Sequence, residues 1–211
     1  METTLLDQLI LLLTGLSAVY LIFRFIQAMK GTTEKAKYYY HYITSFAVLF
    51  VAGVLVILFD FAVLARPEIK IVATLIPFGI ASGLVCEFYQ KYAKPYALFL
   101  LLGFVLIVAL NLGILEAKLI YPVFHSIAGL TIFFVPILAL KSNLVDKGFI
   151  WVTVGGTLIG IGGIALAFLG TGHPLLGIFT AEVVFTILTP ILLLMTLSFT
   201  YGFMKNLNIK K

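Results

Sequence analysis

The sequence predicts an all-α fold: a polytopic integral membrane bundle of seven transmembrane helices, N-terminus outside and C-terminus inside. Three observations lead there. Hydrophobic residues make up 62% of the 211 and charged residues only 11%, with a mean hydropathy of +1.16. A soluble domain carries roughly 45–50% apolar and about 25% charged residues. Seven apolar runs fill the chain, each near the roughly 20 residues that a helix needs to cross a bilayer. The basic residues, finally, fall on alternate connections.

Each span has its own punctuation. The first, about 5–29, follows Glu2 and contains Asp7, where a cleavable signal peptide would carry basic residues. A polar turn, Gly31-Thr32-Thr33-Glu34-Lys35, separates it from the second, about 39–64. Arg66-Pro67-Glu68 makes a sharp break before the third, about 70–90. The fourth, about 95–115, meets the fifth, about 119–140, across only Glu116-Ala117-Lys118. The sixth, about 149–170, ends in the breaker-rich loop Gly170-Thr171-Gly172-His173-Pro174, and the seventh covers about 176–203. The apolar runs are continuous, whereas a barrel needs short alternating segments. No connection can hold an aqueous domain, so residues 1–211 are read as one transmembrane domain.

Orientation follows from charge. With the N-terminus outside, the inner side receives Arg24, Lys30, Lys35, Lys37, Lys91, Lys94, Lys141, Lys147, Lys205, Lys210 and Lys211; the outer side receives Arg66, Lys70 and Lys118. This is the positive-inside bias. It accounts for the net charge of +5 without nucleic acid and points to the plasma membrane of a prokaryote. Tyr38, Tyr39, Tyr40, Tyr42, Tyr89, Tyr92, Tyr96, Trp151 and Tyr201 form an aromatic belt on the same side. Cys86 stands alone and offers neither a disulfide nor a thiolate metal cluster.

Small residues bring helices together in lipid. Gly156, Gly160, Gly163 and Ala167 share one face of the sixth span, and Gly79 and Gly83 one face of the third. These faces suit packing within the bundle and leave open a homo- or hetero-oligomer; the bilayer itself is the other expected partner. Pro77, Pro136 and Pro190 lie within descending spans, each with a threonine upstream (Thr74, Thr131, Thr186), and are candidate gating kinks. His41-Tyr42-Ile43-Thr44-Ser45 and His125-Ser126-Ile127-Ala128-Gly129 hint at a 3+3 inverted repeat plus a seventh helix.

Polar residues in spans are expensive and mark candidate sites. Asp60, Asn111, His125 and Glu182 fall at an expected common depth of roughly 6–10 Å from the outer boundary, at 1.5 Å per residue. Two carboxylates and an imidazole there could exchange protons or, with Asn111, hold a divalent cation. Arg24, His41 and Glu87 form an inner group in which Arg24 or His41 is expected to pair with Glu87.

The residues favour a transporter or channel-like protein for an ion or small solute, proton-coupled through the outer set. A non-catalytic subunit of a larger complex, and a haem- or metal-binding redox protein or lipid-substrate enzyme, are the alternatives; cofactor and metal are left unassigned. The last span has no mid-helix lysine for retinal, no Pro-Gln pair occurs, and no His-x-x-x-His spacing provides an intramembrane zinc site. Gly155-Gly156-Thr157-Leu158-Ile159-Gly160 lacks the Lys-Ser/Thr of a phosphate loop.

Overall fold

The computed structural model describes residues 2–30, 37–117, 119–170, 178 and 180–209, with the side chains of 166–170 and 208–209 left out of that description. The turn at 31–35, Lys118 and the loop residues from Thr171 to Pro174, His173 among them, lie outside the described residues. Among the described residues there are helices and no strand: α1 (Leu5–Lys30), α2 (Tyr38–Phe59), α3 (Pro67–Ala73), α4 (Leu75–Phe88), α5 (Gln90–Asn111), α6 (Ile120–Lys141), α7 (Ile150–Gly170) and α8 (Ala181–Ile209). With α3 and α4 taken together, seven are long and apolar enough to cross a membrane.

Local chemistry sets the ends. Thr4 caps α1 reciprocally: its hydroxyl accepts from the Asp7 N–H (3.1 Å), and Asp7 Oδ2 accepts from the Thr4 N–H (3.0 Å). The second span is shorter as an α-helix than expected. Asp60 turns to φ 61°, and a 3-10 turn over Phe61–Ala65 leads to Pro67, the first residue of α3. The third span is two helices because Pro77 has no N–H for the carbonyl of Ala73, and the ladder is interrupted at Thr74. The fourth begins at Gln90 rather than 95, with Pro95 tolerated near its start.

The fourth span also ends earlier than expected, for a reason visible in retrospect. Gly113 takes φ 71°, its N–H reaches the Leu110 carbonyl (3.2 Å), and the Ile114 N–H reaches Ala109 (2.9 Å). That is a Schellman cap, which favours glycine in the left-handed position. Asn143, at φ 54°, closes α6 in the same way through Leu140 and Ala139.

Six helices form a closed ring in the order α1, α2, α4, α6, α7, α8 and back to α1, while α5 packs outside it against α4 and α6. Under an inverted repeat α1 and α5 would be counterparts, yet one closes the ring and the other flanks it. Aromatic side chains pack the ring at its basic end, where most lysines gather. Phe25, Tyr42, Phe46, Phe149, Phe199 and Phe203 fill it, with Phe203 packed 5.3 Å from Phe25 and 4.7 Å from Tyr42, centroid to centroid. A smaller cluster of Leu11, Val56, Phe61, Val63 and Leu188 seals α1, α2 and α8 at the far end.

Glycines permit the close crossings. Gly79 lies against Ser45 and the His41 carbonyl, and Gly83 against the Tyr42 ring, so α4 sits directly on α2. On α7, Gly156 faces Ile132, Gly160 faces Gly129 and Gly163 faces the His125 ring, so this glycine face is covered by α6 of the same chain. A Cβ at Gly79 would lie 2.8 Å from the His41 carbonyl oxygen, whereas one at Gly160 meets nothing within 4 Å. Gly79→Ala should therefore destabilise the bundle by about 1–3 kcal/mol through overpacking. Gly160→Ala should be neutral or stabilising by up to about 1 kcal/mol. Reversible unfolding in detergent separates the two.

Candidate functional site

Three helices converge on one carboxylate at the basic end. Tyr42 of α2 donates to Glu87 Oε2 (2.8 Å), and Asn206 Nδ2 of α8 donates to Glu87 Oε1 (2.9 Å). Tyr42 is 0% exposed and Asn206 3%. Tyr42 and Asn206 belong to the buried stripes Tyr42-Phe46-Leu49 and Phe199-Phe203-Asn206, and the half-buried Glu87 continues the line of Ile80 and Leu84, each at i, i+4, i+7 spacing. The clasp therefore lies beneath the phenylalanine packing, on the surfaces that hold the ring together.

The inner group takes partners other than those expected. Arg24 turns back along α1, its Nη1 donating to the Tyr20 hydroxyl at 3.1 Å. His41 Nδ1 lies 3.0 Å from Ser82 Oγ, which also reaches the Gly79 carbonyl at 3.2 Å. Neither Arg24 nor His41 is at Glu87, because the core face of α2 presents the next residue, Tyr42. Asn206 was not singled out from sequence; the signal for it is its position one turn below Phe203 on an otherwise apolar stripe.

At the far end the polar residues have separate neighbours. Asp60 Oδ1 accepts from both the N–H and the hydroxyl of Thr3, each at 2.7 Å. These bonds, the backbone one foremost, hold its carboxyl below the ordinary aspartate value. Asp60 also has a ψ of 179°, which with its positive φ is a backbone region kept almost entirely to glycine. Asn111 donates to the Ile107 carbonyl of its own helix (2.8 Å). Glu182 is exposed in the first turn of α8, where a negative charge suits the helix dipole. Asp7, noted in sequence only for its charge, crosses to α8: Thr189 donates to its Oδ1 at 2.7 Å.

His125 is the buried member of the set, 8% exposed, between α6 and α7. Its ring stacks on Tyr121 at 5.8 Å and rests on Gly163. The Ile159 carbonyl lies beside it, but neither ring nitrogen meets a described group at hydrogen-bond geometry.

Heights differ as well. Phe124 covers Gly103, so His125 lies about 12 Å below Asn111 along α5 at 1.5 Å per residue. Glu182 stands about 10 Å beyond the Thr189 level on the same rise. The four residues thus occupy several depths and several interfaces. No group of three His, Cys, Asp or Glu side chains among the described residues is placed to share a metal ion.

The threonines near the prolines act on other carbonyls than those the prolines free. Pro77, Pro136 and Pro190 leave the carbonyls of Ala73, Ile132 and Thr186 without their helical donors. Thr74, Thr131 and Thr186 donate instead to Ile71 (2.7 Å), Ile127 (2.8 Å) and Glu182 (2.8 Å). Thr131 in turn accepts from the Tyr96 hydroxyl at 2.7 Å, fastening α5 to α6. In α6 the inter-helix bond nearest the proline is Thr153 Oγ1 to the Phe133 carbonyl (2.9 Å), tying α7 to α6.

No family model matches the chain, and no curated protein or solved structure is similar to it.

Two measurements follow. Tyr42→Phe removes a hydrogen bond to a charged group and should cost about 1.5–3 kcal/mol in reversible unfolding. Because the Asp60 pKa is lowered, the stabilisation it provides is present above the ordinary aspartate value, about 3.9, and is lost as pH falls through the lower folded one. Amide exchange at Thr3 should remain protected at neutral pH, deprotect only in acid, and be unprotected at every pH in Asp60→Ala.

Proposed function

We propose that this chain is a small membrane transport protein that moves a proton or small solute, with Glu87 as its titratable group at the basic end. The observation that carries the reading is a carboxylate at the junction of three bundle helices, where Tyr42 of α2 and Asn206 of α8 both donate to it. A charged group inside a membrane bundle is costly and marks ion pathways and proton relays. A proton on Glu87 turns one carboxylate oxygen from acceptor to donor, so its bonds to Tyr42 and Asn206 must rearrange. Protonation is thereby coupled to the contacts among α2, α4 and α8.

His125 supplies a second titratable group between α6 and α7, and Asp7 with Thr189 a third polar contact towards the far end. Asp60, Asn111 and Glu182 form the approach from that side. The positive-inside rule supports placing the basic end in the cytoplasm of a prokaryotic cell. The interrupted ladders at Pro77, Pro136 and Pro190 are the proposed flexing points.

The test uses purified protein in liposomes with a trapped pH dye under an imposed proton gradient. The unaltered chain should dissipate the gradient faster than empty liposomes. Glu87→Gln should slow it about tenfold or more, the rate equivalent of one hydrogen bond to a charged group. His125→Ala should reduce it as well. Flux absent from the unaltered chain, or equal in both variants, overturns the proposal and favours the subunit reading.

A further inference from the structure

Two grooves run along the lipid-facing side of α8. One, of about 340 Å³, lies between α1 and α8 and is walled by Leu13, Leu16, Tyr20, Leu193 and Leu197. The other, of about 300 Å³, lies between α7 and α8 and is walled by Trp151, Leu194, Leu197 and Tyr201. Leu197, 46% exposed, is the ridge between them. The hydroxyls in the walls are spent on their own helices: Ser17 on Leu13, Ser198 on Leu194 and Thr200 on Thr196. Apart from the polar edges of Tyr20, Trp151 and Tyr201, what remains is hydrocarbon.

Both grooves end at the same kind of group. Arg24 lies one turn beyond Tyr20 on α1, its guanidinium carbon 5.9 Å from that ring centroid and its Nη1 on that hydroxyl. Lys205 lies one turn beyond Tyr201 on α8, its Nζ 5.3 Å from the ring, and Tyr201 meets Trp151 edge-on at 5.8 Å. The nearby carboxylate, Asp146, is occupied by the Gly148 N–H (2.7 Å). Among the described residues neither cation is paired with a carboxylate. Two apolar grooves, each with a cation and an aromatic ring one turn apart at its basic end, match an anionic lipid in charge and in polarity.

We propose that an anionic glycerophospholipid of the leaflet at the basic end binds astride α8, one acyl chain in each groove, its phosphate held by Arg24 and Lys205. A zwitterionic lipid with the same chains fills the grooves without the charge match. Each basic residue near a membrane surface contributes about 1 kcal/mol towards an anionic headgroup, or about fivefold in affinity. The site does not depend on the transport reading.

The experiment is a titration of the delipidated full chain in a nonionic detergent with dioleoyl phosphatidylglycerol or dioleoyl phosphatidylcholine, read by native mass spectrometry and by melting temperature. Phosphatidylglycerol should bind at least about fivefold more tightly and raise the melting temperature more. Arg24→Gln and Lys205→Gln should each reduce that preference about fivefold while leaving the lipid-free melting temperature unchanged. Leu197→Trp, which obstructs both grooves, should weaken both lipids. Glycerol 3-phosphate, a headgroup without chains, should not compete. Equal affinity for the two lipids, a preference that survives the double glutamine variant, or displacement by glycerol 3-phosphate would each overturn the proposal.

Discussion

Hydrocarbon offers no hydrogen bonds, so a polar group in this chain is costly unless it finds a partner within the protein or at the membrane surface. That constraint accounts for most of what the structure does. Hydroxyls fold back onto carbonyls one turn upstream, as at Thr14, Ser17, Thr157, Thr196 and Ser198. Helices end in Schellman caps at Gly113 and Asn143, which use up their last carbonyls. Polar side chains that cross between segments each fasten particular neighbours, among them Asp7 to Thr189, Asp60 to Thr3, His41 to Ser82, Tyr96 to Thr131, Thr153 to Phe133 and Glu87 to Tyr42 and Asn206.

Packing in lipid has no hydrophobic driving force between helices and depends on close fit. The glycines provide that fit in opposite ways. Gly79 and Gly83 lie where a neighbouring side chain or backbone already occupies the space of a Cβ. Gly160 lies where nothing does, and the close approach there is backbone to backbone, with Gly129. The aromatic packing at the basic end supplies the bulk that the glycines lack, with Phe203 touching rings from α1, α2, α7's preceding turn and α8 itself.

Much of the fold was legible in the sequence because hydropathy reports length and solvent directly. The seven apolar runs became seven membrane-length helices, with ends displaced where turn chemistry prevailed over composition. Gly113 is the clear case: a lone glycine after Asn111 carried the stop signal, yet the charged Glu116-Ala117-Lys118 attracted the boundary. The site was less legible because a residue's depth in its own span says little about the helix beside it. Glu87 was visible as a carboxylate in a span, but its partner Tyr42 looked like part of an interfacial belt and Asn206 like part of a polar tail. Both become readable once the i, i+4, i+7 stripes are followed from Phe46 and Phe203. Asp7 was hidden for the opposite reason: at the start of a chain it resembled a surface charge, and only the return of α8 to α1 reveals its second role.

That return has a bearing on biosynthesis. Since α1 and α8 close the ring on one another, the five ring helices released before α8 make an arc with an open seam. Along that seam Leu11, Phe25 and the carboxylate of Asp7 lack their α8 partners until α8 emerges from the ribosome. A nascent chain stalled before residue 181 would thus expose a polar group and an aromatic surface to the membrane at once, a signature by which quality-control proteases would distinguish a copy lacking α8 from one that carries it.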